Sequence, residues 1–546
     1  MPSRARLLAL LVVAAAVPLA ESLVLVSFRF RQAEGLIGQA SAVWPYDSYH
    51  DLRWLLVYHN SWLTFALGLV GALVVRGMLS ATLVGLAWPA RVPRPSARSL
   101  LLRNLGVAAF SAAVVAPFAA LAVAASVVSL SWVLFTSLVP MLILAPFLQR
   151  MAVGAGWWHG LPSAELVAWS LLDFVVITVA GGLVWTAPEG WTPVVAAAVG
   201  AINGLLWNRM VRVAVRPSHV RLRWMPVVPI VVVLALALPL AAQVLSHPGN
   251  EKNTFTPPIF NNPLAADVPY AVVLLAGHNS AYDGRPAADP RVERFSYAGL
   301  DAQGRPLPYP PTRTHQSLAS SADLLAVQVQ ALHRRTGRPI ALVGESEGAM
   351  VARTYFRHRS DTPVTALLMF SPLVRTGRAY YPPPDASSGW GIATGWLLRG
   401  MFDLANLGSS AGSHPDEPFV RSLLEDAPFY RLETMCPIPG VRVIAFLPTV
   451  TAAETTPGPF TKIPVVEVPS FHGGFLSRKV VESQVIDFLA GENISQVRRE
   501  YGLLQGLAAA WQAPLLAVDA NPVWRPTAPP GRPFSSAKIC APLKNP

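Results

Sequence analysis

Charge and cysteine are what this sequence has least of. Asp, Glu, Lys and Arg make up 14% of its 546 residues, against 52% hydrophobic residues, whereas soluble globular chains carry about 25% charge. A wholly soluble protein is thereby excluded, and several bilayer spans are expected. Acidic residues are the scarcer sign, which leaves a formal net charge of +12. That excess makes no nucleic-acid footprint, because the arginines sit beside apolar segments and no aromatic-interleaved basic stripe accompanies them. The two cysteines, Cys436 and Cys540, have no metal-ligand spacing with each other or with His. They read either as one disulfide in an oxidising compartment or as two buried thiols. The length allows roughly two to four domains.

Long apolar runs do exist, and they are confined to the first 245 residues. Seven spans are predicted, at about 7–28, 55–75, 104–125, 128–148, 166–186, 191–208 and 225–245. The third and fourth come from dividing one run that is too long for a single crossing. The first follows Arg4 and Arg6 in the manner of a signal peptide, but its apolar character resumes at Leu23, Val24, Leu25 and Val26 and no small-x-small cleavage site is visible. An uncleaved anchor is expected. Arg91, Arg94, Arg98 and Arg103 follow the second span, and Arg209, Arg212, Arg216, Arg221 and Arg223 follow the sixth. A cytoplasmic N-terminus puts both loops inside, and the seventh span then delivers the C-terminal half to the outer face of a plasma membrane. Arg29, Arg31 and Arg53, in the expected first outer loop, are discordant and are partly offset by Glu34, Asp47 and Asp51. Asp173 is the clearest ionisable group inside a span; a proton relay would need a partner such as His59, and satisfaction by a neighbouring helix is the plainer expectation.

After Ser246 the texture changes to Pro, Asn and charged residues, with short apolar runs alternating with helical patterns. The division expected is a transmembrane bundle over 1–245, a linker over 246–264, an α/β domain over 265–513 and a Pro-rich tail over 514–546, lying extended on the surface. Strands are predicted at Tyr270–Leu275, Arg294–Tyr297, Pro339–Val343, Val364–Phe370, Val441–Phe446 and Pro464–Val468, and helices at about 319–335, 347–358 and 477–490. Strands joined through helices imply a mostly parallel sheet.

The central motif is Gly344-Glu345-Ser346-Glu347-Gly348, with an apolar strand running into it and a helix beginning after it. Glycines leave room for a tight turn, and the helix N-terminus favours negative charge developing beside the serine hydroxyl. On this strand-turn-helix the chain resembles the α/β-hydrolase superfamily, especially its lipase and esterase branches, over about 265–490. The resemblance implies Ser346 as nucleophile and His472, in the loop beyond the last strand, as general base. It implies an acid after the preceding strand, for which Glu454 is the candidate and Asp426 the fallback. The oxyanion hole would use the backbone N–H of Glu347 and a second donor from Gly277-His278-Asn279, with His278 the first choice, although the order is Gly-His where relatives carry His-Gly.

About 70 residues separate the strand ending near Phe370 from the one beginning at Val441, longer than an ordinary crossover. A cap over about 375–435 is expected. Its apolar cluster of Trp390, Ile392, Trp396, Leu397, Leu398, Met401, Phe402 and Leu404 would cover an acyl pocket, touch the bilayer or simply pack. His315 either lines the site or serves structure. The implied activity is hydrolysis of an ester or thioester through an acyl-serine, needing no cofactor and no metal. Its partners are the bilayer and a lipid or cell-envelope acyl substrate. An acyltransferase with the same residues, and a transporter or scaffold with an inactive hydrolase-like half, are the alternatives; the oligomeric state is left open.

Overall fold

In hydrocarbon a segment must satisfy its own backbone N–H and C=O groups, so the apolar runs fold as helices. The computed structural model describes residues 4–128, 131–154, 157–216, 226–235, 258–406, 413–449, 461–470, 472, 478–492, 494, 502–524 and 540. Five of its helices are long and apolar enough to cross a membrane. In chain order the helices of this half are α1 (Arg4–Ser27), α2 (Tyr46–Val57), α3 (Trp62–Ala87), α4 (Ala97–Val128), α5 (Ser131–Val153), α6 (Ala164–Thr186) and α7 (Thr192–Ala214). The candidate spans are α1, α3, α4, α6 and α7. The long run divides between α4 and α5, and α5 carries Pro140 and Pro146 within it. Of the predicted seventh span, 227–235 are helical and 236–245 lie outside the described residues. The second span begins later than predicted, at Trp62, because Ser61 and Thr64 form a reciprocal capping box. At the crossing of α1 and α7 a Cβ on Gly200 would come within 2.4 Å of the Ala14 carbonyl oxygen, so only glycine lets these backbones meet.

The expected first outer loop is not a loop. A 3₁₀ segment, Arg31–Gln39, and helix α2 fold back among the spans, burying Glu34, Asp47 and Arg53. Of the arginines that looked discordant, Arg53 is buried inside the bundle, whereas Arg29 and Arg31 are exposed. Arg76 of α3 donates to both carboxylate oxygens of Asp51, at 2.8 and 2.5 Å, and to the Ala40 carbonyl at 2.8 Å. His50 sits between Glu21 and Asp51, 3.0 Å from each. Arg53 donates to Gln39 and to the carbonyls of Ala510 and Gln512. Burial of charge is tolerable only with such pairing. Asp173 is fully buried in α6 beside Tyr46. His59 is no relay partner for it, since its ring nitrogens are committed to the Leu55 carbonyl at 2.7 Å and the Ala393 N–H at 2.9 Å.

The second half is built on a six-stranded parallel sheet in the order β2-β1-β3-β4-β5-β6. Its strands are β1 (Ala271–Leu275), β2 (Val292–Arg294), β3 (Ile340–Glu345), β4 (Val364–Phe370), β5 (Arg442–Pro448) and β6 (Val465–Val468). Helices α8 (Leu318–Thr336), α9 (Glu347–His358) and α13 (Lys479–Leu489) complete it, with α10 (Ile392–Ala405), α11 (Pro418–Glu425) and α12 (Ala427–Glu433) in the insertion between β4 and β5. β2 falls earlier than predicted, because Phe295 and Tyr297 pack into the core instead of extending the ladder. The strand order reverses between β1 and β3, which opens a crevice at their carboxyl ends.

The insertion docks on the membrane half. Gly389 and Gly391 donate to the carbonyls of Asn60 and His59 at 2.8 and 2.9 Å, and Thr394 donates to the Leu56 carbonyl at 2.5 Å. Leu397, Met401 and Phe402 pack against the core of that half, while Trp396 and Leu404 are about half exposed, at 48% and 60%. The segment after residue 500 also differs from expectation. Helix α14 (Gly502–Ala509) packs on α6, and Trp511, Leu515 and Leu516 are buried. The tail is therefore a component of the membrane half through at least Leu516, because its aromatic and aliphatic side chains find a core there. Cys436 and Cys540 are bonded, closing 104 residues.

Candidate active site

Ser346 follows β3 directly and occupies φ 52°, ψ −116°, while α9 begins at the next residue. A non-glycine residue here is strained, and strain of this kind is retained only where the surroundings enforce it. They do so through close approach. A Cβ on Gly348 would lie 2.4 Å from the Leu275 carbonyl oxygen, and one on Gly344 would lie 2.7 Å from the Ala349 nitrogen. The Ser346 N–H is held by the Phe370 carbonyl at 2.8 Å.

His472 Nε2 lies 2.8 Å from Ser346 Oγ. The sequence-predicted pair, far apart in the chain, is thus in hydrogen-bond reach. Gly277, at the end of β1, places its backbone against the serine: a Cβ there would be 3.2 Å from Ser346 Cβ. Glu347 opens α9, where the first backbone N–H groups have no intrahelical acceptor. The backbone of Gly277 thus lies against the serine, and Glu347 follows the serine at the head of α9. Glu454 lies outside the described residues. Asp426, the fallback acid, is instead paired with Arg357 at 2.7 Å and is no partner of His472.

Three carboxylates that the motif reading did not assign surround this centre. Glu345 is held near His472; burial pushes it up to about 7, against the smaller opposing influence of His472. Glu347 turns its side chain away from the serine to His278 Nδ1, at 3.1 Å. Glu417, from the insertion, meets His278 Nε2 at 2.8 Å and His315 Nδ1 at 3.2 Å. Burial opposes a charge on His278, but the two carboxylates outweigh it and raise its pKa to about 10. His278 is stacked between His315 and Phe419, with ring centroids 4.9 and 4.8 Å away. Its ring is thus engaged by Glu347, Glu417, His315 and Phe419. Glu345 and Glu347 stood within the motif itself and were legible there as charged neighbours. Glu417 carried no signal in sequence.

Comparison with known proteins finds no matching family model, curated protein or solved structure.

Proposed function

We propose that this chain is a membrane-anchored serine hydrolase of α/β-hydrolase type that cleaves an ester or thioester on the outer face of the plasma membrane. The observation that carries the reading is the 2.8 Å approach of His472 Nε2 to Ser346 Oγ, with the serine in a strained turn at a helix N-terminus. The imidazole takes the hydroxyl proton as oxygen attacks the acyl carbon, and the tetrahedral oxyanion falls to the backbone N–H groups of Glu347 and His278. Collapse expels the alcohol or thiol with the proton that His472 returns. Water then repeats the sequence on the acyl-serine. A lipid or envelope acyl substrate is supported by the half-exposed Trp396 and Leu404 on an insertion bonded to the membrane half. The outer face is supported by the Cys436–Cys540 bond, which persists in oxidising compartments.

A membrane-impermeant fluorophosphonate probe tests chemistry and sidedness together. It should label the protein on intact cells. Labelling only after lysis would move the domain inside, and no labelling in either case would sink the hydrolase reading.

Glu454 is proposed to orient His472 and stabilise its charged form. Glu454→Gln should lower kcat by about 10³- to 10⁴-fold with little change in KM, since the lost interaction matters most once the imidazole is protonated. Glu454→Asp should retain partial activity. Wild-type kinetics in Glu454→Gln would remove it from the triad.

A further inference from the structure

The histidines beside the serine have an order that ester cleavage does not use. Each directs one nitrogen at an oxygen acceptor: His278 Nδ1 faces Glu347 Oε2 at 3.1 Å, and His315 Nε2 faces Asn279 Oδ1 at 2.7 Å. Asn279 donates through Nδ2 to Ser413 Oγ at 2.7 Å, so its Oδ1 accepts and His315 carries its proton on Nε2. The two remaining nitrogens, His278 Nε2 and His315 Nδ1, converge on one carboxylate, Glu417, whose side chain is 5% exposed, with Ser413 Oγ a longer 3.3 Å from His278 Nε2. The ligand atoms of these three residues lie within 4.8 Å of one another.

Metal-binding histidines show this pattern once the ion has displaced the inner proton to solvent, since handing the outer N–H to a carboxylate or amide oxygen fixes the tautomer and aims the other lone pair at the ion. Two imidazoles and one carboxylate are also a donor set that zinc uses while keeping a further position open. We propose that His278, His315 and Glu417 bind a divalent transition-metal ion of the Zn²⁺ class, with Glu347 and Asn279 orienting the two rings. Tetrahedral zinc sets neighbouring ligand atoms about 3.3 Å apart. The 2.8 and 3.2 Å nitrogen-to-carboxylate distances then need to open by only tenths of an ångström. The three ligands come from the loop after β1, the 3₁₀ turn Pro311–His315 and the chain just before α11. The ion would cross-link these segments and fix the backbone of the loop that flanks Ser346. It takes no part in bond breaking.

The test reads metal, not turnover, so it stands or falls independently of the hydrolase reading. Full-length protein in detergent is stripped with chelator, equilibrated with Zn²⁺, dialysed and analysed for metal content, with Co²⁺ absorption as a second probe. Wild type should retain one equivalent and give a tetrahedral Co²⁺ spectrum. His315→Ala and Glu417→Gln should lose it, and Glu347→Gln should weaken binding about 10- to 100-fold. Wild type that holds no stoichiometric metal would overturn the proposal whatever the variants do. Equal retention by the His315 and Glu417 variants would overturn it as well.

Discussion

Ser346→Ala is expected to remove esterase turnover by about 10⁴- to 10⁶-fold and to abolish fluorophosphonate labelling. In the proposed mechanism the hydroxyl makes the acyl bond, and neither the oxyanion donors nor His472 could replace it. The fold should survive, because the change deletes one oxygen from a residue whose backbone is held by Phe370. Ser346→Gly sharpens the result. At φ 52° a side chain costs about 1–3 kcal/mol, which glycine does not incur. The glycine variant should therefore melt higher than wild type while being inactive. Turnover near wild type in either variant would place the nucleophile elsewhere, and unchanged or lowered stability in Ser346→Gly would show that the turn is not strained.

Asp51→Ala should be the most damaging single change in the membrane half. It strips Arg76 of both Asp51 contacts, leaving it, among carboxylates, only the longer pair with Asp47 at 3.6 Å, and strips His50 of one. Breaking a buried pair by removing one partner costs about 3–5 kcal/mol, because the other charge stays buried. Thermal unfolding in detergent should show a large fall in Tm. Adding Arg76→Met should recover part of it by removing a buried guanidinium whose one carboxylate contact is then the longer one to Asp47, since apolar replacement of a whole pair is often near neutral. A Tm for Asp51→Ala equal to wild type would mean that the pair contributes nothing. A double variant worse than the single would locate the damage in Arg76's bond to Ala40 instead.

The parts legible in sequence were those whose geometry is encoded locally. Five consecutive residues, Gly344 to Gly348, specify the turn, and both glycines are required by contacts under 3 Å. The apolar runs of β1, β3, β4 and β5 read as strands because both faces are covered. What failed depends on pairing across distance. Counting arginines by position sets topology but cannot tell a solvated Arg53 from one bonded to Gln512. Asp51 and Arg76 look like two unrelated charges until α2 folds back against α3. Proline signals an exposed tail, yet Leu515, Leu516 and Trp524 are buried, in contacts that no local pattern announces. Glu417 reached the site for the same reason, from an insertion with no sequence mark of its destination.

The dependence of Arg53 on the chain's far end sets an order of assembly. Its carbonyl acceptors, Ala510 and Gln512, are separated from it by 457 and 459 residues. At synthesis rates of about 5–20 residues per second, roughly 20 to 90 s pass between the ribosome's addition of the guanidinium and of its acceptors. The early helices must wait in the bilayer with a cation still seeking ligands, held by water, lipid phosphate or the insertion machinery. Completion of the membrane half thus waits until Ala510 and Gln512 have been made, and a chain truncated before Ala510 would present that unfinished cleft to quality-control proteases.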